Sequence, residues 1–282
     1  MKNKTNPKIS VIIRTYNEEK MIEKCLNAIF NQKIKYDFEV IIVDSESKDK
    51  TLQIISKFPV KLIKIKKKDF TYGKALNIGC DIAKGEFFIF LSAHAIPKNK
   101  YWMENLIKNF NNPKIVAAYG NQTPFKDQDL LAKRKALANS ENKSKIQTKP
   151  DFFTNANSAI KKSVWLKIKF NEKLIASEDH EWAKRIQEQG HLIIYEPKAI
   201  IYHSHDENFK QIFSRSYGEI KANIFIYNKK IILKYLKESS QNFSEDTKYV
   251  VKNKQNPVWI IRSFLNNLVI IMATLFAFLK SL

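Results

Sequence analysis

The chain has 282 residues, of which 44% are hydrophobic and 12% aromatic; that much apolar surface excludes general disorder and fits one large domain with an appendage. Lys and Arg total 49 against 28 Asp and Glu, a net charge of +21. Such an excess predicts attraction to a polyanion such as nucleic acid, anionic lipid or a phosphorylated substrate, although an AT-rich coding bias would produce it too.

No Walker-type glycine loop is present and no Gly-x-Gly-x-x-Gly follows the first strand, which disfavours ATP hydrolysis and dinucleotide redox chemistry. Basic residues are spread along the chain without a helix-turn-helix, zinc finger or aromatic-interleaved RNA motif, so no specific nucleic-acid partner is expected. Cys25 and Cys80 lie in apolar helical stretches without CxxC spacing and read as small core residues of a reducing compartment. The N-terminal lysines run into a short apolar strand rather than a long apolar segment with a cleavage site. No signal peptide is expected, and the catalytic part is expected in the cytoplasm.

From residue 8 to 119, short β-branched runs alternate with longer amphipathic stretches, the sequence form of repeated β-α-β units. Strands are expected at 9–13, 39–43, 60–65, 86–91 and 115–119. Met21, Ile22, Cys25, Leu26, Ile29 and Phe30 form one helix face, and Leu52, Ile54, Ile55 and Phe58 the next. The expected fold class is α/β, a Rossmann-like mixed, mostly parallel sheet flanked by helices with a C-terminal helical tail. Ligands in such sheets bind outside the carboxyl ends of the strands, so the polar residues there are the first candidates. They are Thr15, Tyr16 and Asn17 after the first strand, Asp44, Ser45, Glu46 and Ser47 after the second, and Ser92, Ala93 and His94 after the fourth.

Residues 127–150 read as a lysine-rich surface helix leading into a mobile loop that can cover the crevice. Then come a strand at 155–160, a helix at 177–190 with acids in its first turn, and a hairpin-like return at 191–202. Alternation places His203 and His205 on one face of the strand end, as metal or phosphate ligands or as two solvent-facing polar residues. The segment 258–282 is strongly apolar, but its uninterrupted run, 268–279, is shorter than the ~20 residues of a spanning helix. It is expected to lie at a membrane surface, with Trp259, Arg262 and Lys280 as interfacial anchors and the lysines of 229–254 facing anionic headgroups. Packing on the domain or on a partner subunit is the other reading. The expected organisation is a catalytic domain over 1–228, with a donor half to about 120 and an acceptor half beyond it, and a basic and apolar tail over 229–282.

Three motifs in order, Ile-Ser-Val-Ile-Ile-Arg-Thr-Tyr-Asn-Glu at 9–18, Val-Asp-Ser-Glu-Ser at 43–47 with Thr51, and Ser-Glu-Asp-His-Glu-Trp at 177–182, together resemble the family 2 glycosyltransferases. The resemblance runs from about residue 8 to about 205 and implies a GT-A fold. It also implies an inverting transfer from a nucleotide-sugar donor to a hydroxyl of a glycan or lipid-linked glycan. Phe-Thr-Tyr-Gly at 70–73 and the Ala-Ile-Pro ending at 95–97 resemble the rhamnosyltransferase-like and surface-polysaccharide branches. No Gln-x-x-Arg-Trp segment or set of spanning helices of a processive synthase appears.

The resemblance assigns donor binding to Thr15, Tyr16, Asn17, Glu18, Asp44 and Ser45, with Thr15 and Asp44 as base and ribose ligands. Helix capping is the competing role for that cluster. Lys74 and Asn77 are expected near the nucleotide, with Gly73 and Gly79 permitting close backbone approach. Where the family has Asp-x-Asp binding a divalent cation, this chain has Ser92-Ala93-His94. Both carboxylates are gone, which weakens a Mg²⁺ site and leaves imidazole chemistry better suited to Mn²⁺. His94 has three open roles: metal ligand, phosphate partner or turn cap. By resemblance, His203 or His205 completes the metal shell. Glu178 and Asp179 match the family's acidic pair, with Asp179 the general base. Trp182 is either an apolar wall for the acceptor sugar or a core residue. Loss of Asp-x-Asp also suggests an alternative, a catalytically inactive nucleotide- or glycan-binding subunit, which the presence of Asp179 opposes.

Overall fold

The computed structural model describes residues 7–139, 142–149, 152–204 and 207–282, with backbone only at 135–139. Elements follow in chain order as β1 Ile9–Thr15, α1 Ile22–Phe30, β2 Phe38–Asp44, α2 Thr51–Ile55, β3 Lys61–Lys64, α3 Tyr72–Ile82, β4 Phe87–Ser92, β5 Ile96–Pro97, α4 Trp102–Ile107 and β6 Ile115–Thr123. They continue as α5 Leu130–Asn139, β7 Lys145–Gln147, β8 Asn157–Lys161, α6 Lys162–Trp165, α7 Glu178–Glu188, β9 Leu192–Tyr202, α8 Phe209–Tyr227, α9 Ile231–Lys252 and α10 Val258–Leu279. Among the described residues the chain clusters into two compact units.

The first unit comprises Met1–Thr123, Ser140–Lys173 and Glu178–His203. Its sheet has the order β3-β2-β1-β4-β8-β6-β9-β5, with β7 added on β9. β3, β2, β1 and β4 are parallel neighbours, β8 runs antiparallel between β4 and β6, and β6 and β9 are again parallel. Alternation along the buried strands sends Ile9, Val11 and Ile13 into one core with α1, and Ile12 into another with Trp165 and Trp182. Two apolar faces on β1, β2 and β4 make the centre of the sheet covered on both sides, the reason these strands read as near-continuous hydrophobic runs.

Two expectations change here. The return at 191–202 is not a hairpin: β9 is one strand of 11 residues. Pro197 lacks an N–H, and the ladder to β6 breaks between Gly120 and Gln122 before resuming at Ile201. Proline bends this strand without reversing it. The polar stretch 127–150 contains not only helix α5 but also β7, whose register pairs Lys145 with Tyr195 and Gln147 with Ile193.

The second unit comprises Pro124–Asn139, Leu174–Ser177 and Ser204–Leu282, with α5, α8, α9 and α10. Buried Arg134 donates to Asp246 Oδ1 at 2.6 Å, and Ser263 Oγ donates to Asp246 Oδ2, so one carboxylate ties α5, α9 and α10. The buried positions of α10 are small or polar: Ser263, Asn267, Ala273, Thr274 and Ala277. Its exposed positions include Ile261, Phe264, Leu268, Met272, Leu275 and Leu279. This inverts the amphipathicity of an ordinary surface helix. With 22 residues and a mean hydropathy of 1.8, α10 is long and apolar enough to cross a membrane by length and composition.

Candidate active site at the carboxyl edge of the sheet

The loops after β1 and β2 are built by side chains capping backbone. Asn17 takes a left-handed conformation (φ 53°), its N–H donates to Ser47 Oγ, and its Oδ1 accepts from Lys48 N at 2.8 Å. Glu18 N donates to Thr51 Oγ1 at 2.7 Å. Asp44 is fully buried, and its carboxylate accepts the N–H and hydroxyl of Ser47, so it first shapes its own loop. Ser45 donates through N and Oγ to the carbonyl of Thr15. Thr15 Oγ1 is buried with no hydrogen-bond partner among the described residues, a polar atom left over at the end of β1. Glu46 has φ 63°, and its carboxylate accepts from Lys67 N. Lys67 also donates to Tyr16 Oη at 2.7 Å and lies 4.0 Å from the Tyr16 ring centre. The Lys67 hydrogen bond holds the Tyr16 phenol below its usual pKa.

His94, just past β4, and His203, just past β9, stack with ring centres 4.9 Å apart. Their Nε2 atoms face each other at 3.0 Å. On the far side, His94 Nδ1 donates to Glu18 Oε1 at 2.9 Å and His203 Nδ1 to Gln122 Oε1 at 2.8 Å. A carboxylate and an amide oxygen only accept, so both Nδ1 atoms carry protons, and the facing Nε2 atoms stand at a distance that a shared proton or a metal ion can bridge. Among the described residues no group of three or more His, Cys, Asp or Glu forms a metal set. His205 lies outside the described residues.

Glu178 and Asp179 open α7. Glu178 is buried and accepts from Arg14 Nη1 at 3.0 Å, while Asp179 Oδ2 accepts from Asn155 N at 3.1 Å. Burial and the neighbouring Asp179 raise the Glu178 carboxyl above its ordinary range, against the pull of Arg14. The next residue, Ala156, accepts through its carbonyl from Ser92 N at 3.2 Å. A short backbone path therefore runs from Asp179 through Asn155 and Ala156 to Ser92, two residues before His94. The acidic pair and the histidine pair share one edge.

Two expected ligands sit elsewhere. Trp182 is fully buried and its indole donates to Ile168 O at 2.6 Å, so it is a core residue and offers no wall to an acceptor. Asn77 is 2% exposed: its Oδ1 accepts from Trp165 Nε1 and Phe170 N, and its Nδ2 donates to Phe170 O and Glu172 Oε1. That amide is spent on bracing α3. Lys74 is half-buried in the first turn of α3, where Thr71 Oγ1 accepts its N–H. Gly73 and Gly79 permit close approach within the protein itself, since a Cβ there would lie 2.5 Å from Asn171 O and 2.6 Å from Ile12 Cγ2. Arg14, Gln122 and Asn155 are additions that the motifs did not mark. Arg14 carried a signal, being the lone charge inside the apolar run of β1.

The sequence profile described as Glycosyl transferase family 2 matches residues 10–168. The chain is 32% identical over 222 residues to the O-antigen chain rhamnosyltransferase RfbN of Salmonella typhimurium, covering 74% of this chain and 70% of that protein. It is 29% identical over 220 residues to the O-antigen chain rhamnosyltransferase WbaN of Salmonella anatum, with the same coverage. Among solved structures it resembles the mannosyltransferase PcManGT from Pyrobaculum calidifontis in complex with GDP-Man and Mn²⁺, with a TM-score of 0.59 at 18% identity, covering 99% of this chain and 76% of that one.

Proposed function

The chain belongs to glycosyl transferase family 2, and we propose that it moves a sugar, with inversion, from a nucleotide-sugar donor to a hydroxyl of a glycan or lipid-linked glycan in surface polysaccharide synthesis. The observation that carries this reading is the path joining Asp179 to Ser92 and His94 at the carboxyl edge of the sheet. It brings a carboxylate and a pair of converging imidazoles to the place where open α/β sheets bind ligands. The named activities of RfbN and WbaN support the surface-polysaccharide setting.

In this reading Asp179 accepts the proton of the acceptor hydroxyl as its oxygen attacks the anomeric carbon. The bond from that carbon to the donor's phosphate oxygen breaks, and the nucleoside diphosphate leaves with the electron pair. A positioned base of this kind contributes roughly 100- to 10,000-fold. Thr15, at the end of β1, is assigned to the donor base, and the loop braced by Asp44, Ser45, Asn17 and Ser47 holds the ribose side.

His94 and His203 fit a divalent cation because both Nε2 atoms converge and both Nδ1 atoms are fixed by outer acceptors. Two nitrogen donors favour Mn²⁺ over Mg²⁺. Such an ion would supply positive charge for the donor diphosphate. The Mn²⁺ bound by PcManGT with GDP-Man supports that assignment.

The reading places the enzyme at the inner face of the plasma membrane. Its net charge of +21 and the exposed apolar side of α10 suit an anionic surface. The test is release of nucleoside diphosphate from a panel of nucleotide sugars with lipid-linked glycan acceptors. Turnover that vanishes in Asp179→Asn supports the transferase. Nucleotide binding without turnover for any donor would make the chain a binding subunit instead.

A further inference from the structure

Arg14 is the next-to-last residue of β1, a strand flanked on both sides by β2 and β4, and a half-buried charge there needs a partner. Its guanidinium donates to Glu178 Oε1 at 3.0 Å, and the two side chains are 18% and 4% exposed. The guanidinium carbon lies 4.7 Å from the ring centre of Tyr72 on α3, so the fork is held flat between an aromatic face and a carboxylate. Asn155 reaches both acids, its Nδ2 at 3.5 Å from Glu178 Oε1 and its N–H at 3.1 Å from Asp179 Oδ2.

We propose that Arg14 is a positioning residue for the transfer, holding Glu178 as a paired carboxylate so that the adjacent Asp179 is free to take the acceptor's proton. This rests on the assignment of Asp179 as the base. Two neighbouring carboxylates, one of them buried, retain a proton between them, because both cannot ionise cheaply without a counter-charge. The groups that face Glu178 are Arg14 from β1, Asn155 from the segment before β8 and Asp179 from its own helix, with Tyr72 of α3 stacked on Arg14. Among them only Arg14 brings positive charge. It cancels the charge of Glu178, so a proton is not drawn onto the pair at the pH where the base must be ionised.

Kinetics of Arg14→Met, Arg14→Lys, the double variant Arg14→Met with Glu178→Gln, and Asp179→Asn separate the possibilities. Arg14→Met is expected to lose about 10- to 100-fold in kcat, the scale of a misplaced catalytic group. Donor KM and nucleoside diphosphate affinity stay unchanged, and the acid limb of the kcat–pH profile moves to higher pH. Arg14→Lys keeps the charge without the flat fork and recovers the position of the limb. The double variant removes the carboxylate that draws the proton and also returns the limb; it and Arg14→Lys carry the test if Arg14→Met does not fold. An unmoved limb, wild-type kcat in Arg14→Met, or a loss of nucleotide affinity equal to the loss of kcat overturns the proposal. Wild-type turnover in Asp179→Asn overturns the underlying assignment instead, whatever Arg14 does.

Discussion

His94 and His203 meet Nε2 to Nε2 at 3.0 Å, each turned into that position by an oxygen on its other nitrogen, Glu18 for His94 and Gln122 for His203. In place of the Asp-x-Asp that the resemblance implies stands Ser92-Ala93-His94, and in the proposed metal role Glu18 and Gln122 would orient the two rings from behind. Removing an outer acceptor of this type weakens metal affinity about 10- to 100-fold. Glu18→Ala is therefore expected to weaken Mn²⁺-dependent nucleotide binding on that scale while leaving metal-free binding unchanged. Isothermal titration with Mn²⁺ and with EDTA checks it, and equal losses in both conditions would place Glu18 on the nucleotide rather than behind the metal.

Asp179→Asn is expected to leave the nucleotide dissociation constant within about twofold and to lower kcat by roughly 100- to 10,000-fold, the span of a lost general base. Steady-state rates beside a binding isotherm are the measurement. A variant that turns over at the wild-type rate removes Asp179 from the chemistry.

Burial and Asp179 raise the Glu178 carboxyl above its ordinary 4.5. In the window above that value the folded protein holds a proton that the unfolded chain has released. The stability contributed by this group is fully present below the ordinary value and is lost as pH rises through the raised one. Relative to Glu178→Gln, which is neutral throughout, the wild type should thus lose stability as pH rises through that window. Urea denaturation of both proteins at a series of pH values rising from the ordinary carboxylate range is the check. A difference that stays constant or moves the other way would contradict the assignment.

Asn77→Ala tests the reassignment of that residue from ligand to brace. It strands the buried Trp165 indole N–H and Phe170 N–H, and an unsatisfied buried group costs about 1–3 kcal/mol. The expected outcome is a clear fall in Tm with donor KM unchanged once the protein is folded. A normal Tm with a raised KM would return Asn77 to the donor site.

Leu268→Glu with Met272→Glu places two charges on the exposed side of α10. Sedimentation with vesicles of anionic and neutral lipid should show binding of the wild type to the anionic vesicles, weakened by salt, and binding lost in the variant. Unchanged sedimentation would mean that this face does not meet the membrane.

Much of the site was legible because the chemistry follows the strand pattern. The β-branched runs located β1, β2 and β4, and the polar residues just beyond them turned out to stitch one loop cluster. Legibility stopped where a residue's fate depends on what packs against it. Trp182 and Asn77 stand at motif positions, yet contacts with Ile168, Trp165 and Phe170 turn both inward. The segment 191–202 reads as a hairpin-like return but is one bent strand, since local sequence does not say whether a proline such as Pro197 bends a strand or reverses it. Gln122 matters through His203, and Asn155 through Glu178 and Asp179, and nothing in their neighbouring residues distinguishes them.

The most direct measurement is calorimetric titration of the protein and of its His94→Ala and His203→Ala variants with UDP, dTDP, GDP and CMP, each with Mn²⁺ and with EDTA. The account predicts that one nucleotide binds the wild type, more tightly with Mn²⁺, and that either substitution abolishes the Mn²⁺ effect while leaving the weaker metal-free binding. Failure of all four nucleotides, or a Mn²⁺ effect that survives in both variants, would contradict it.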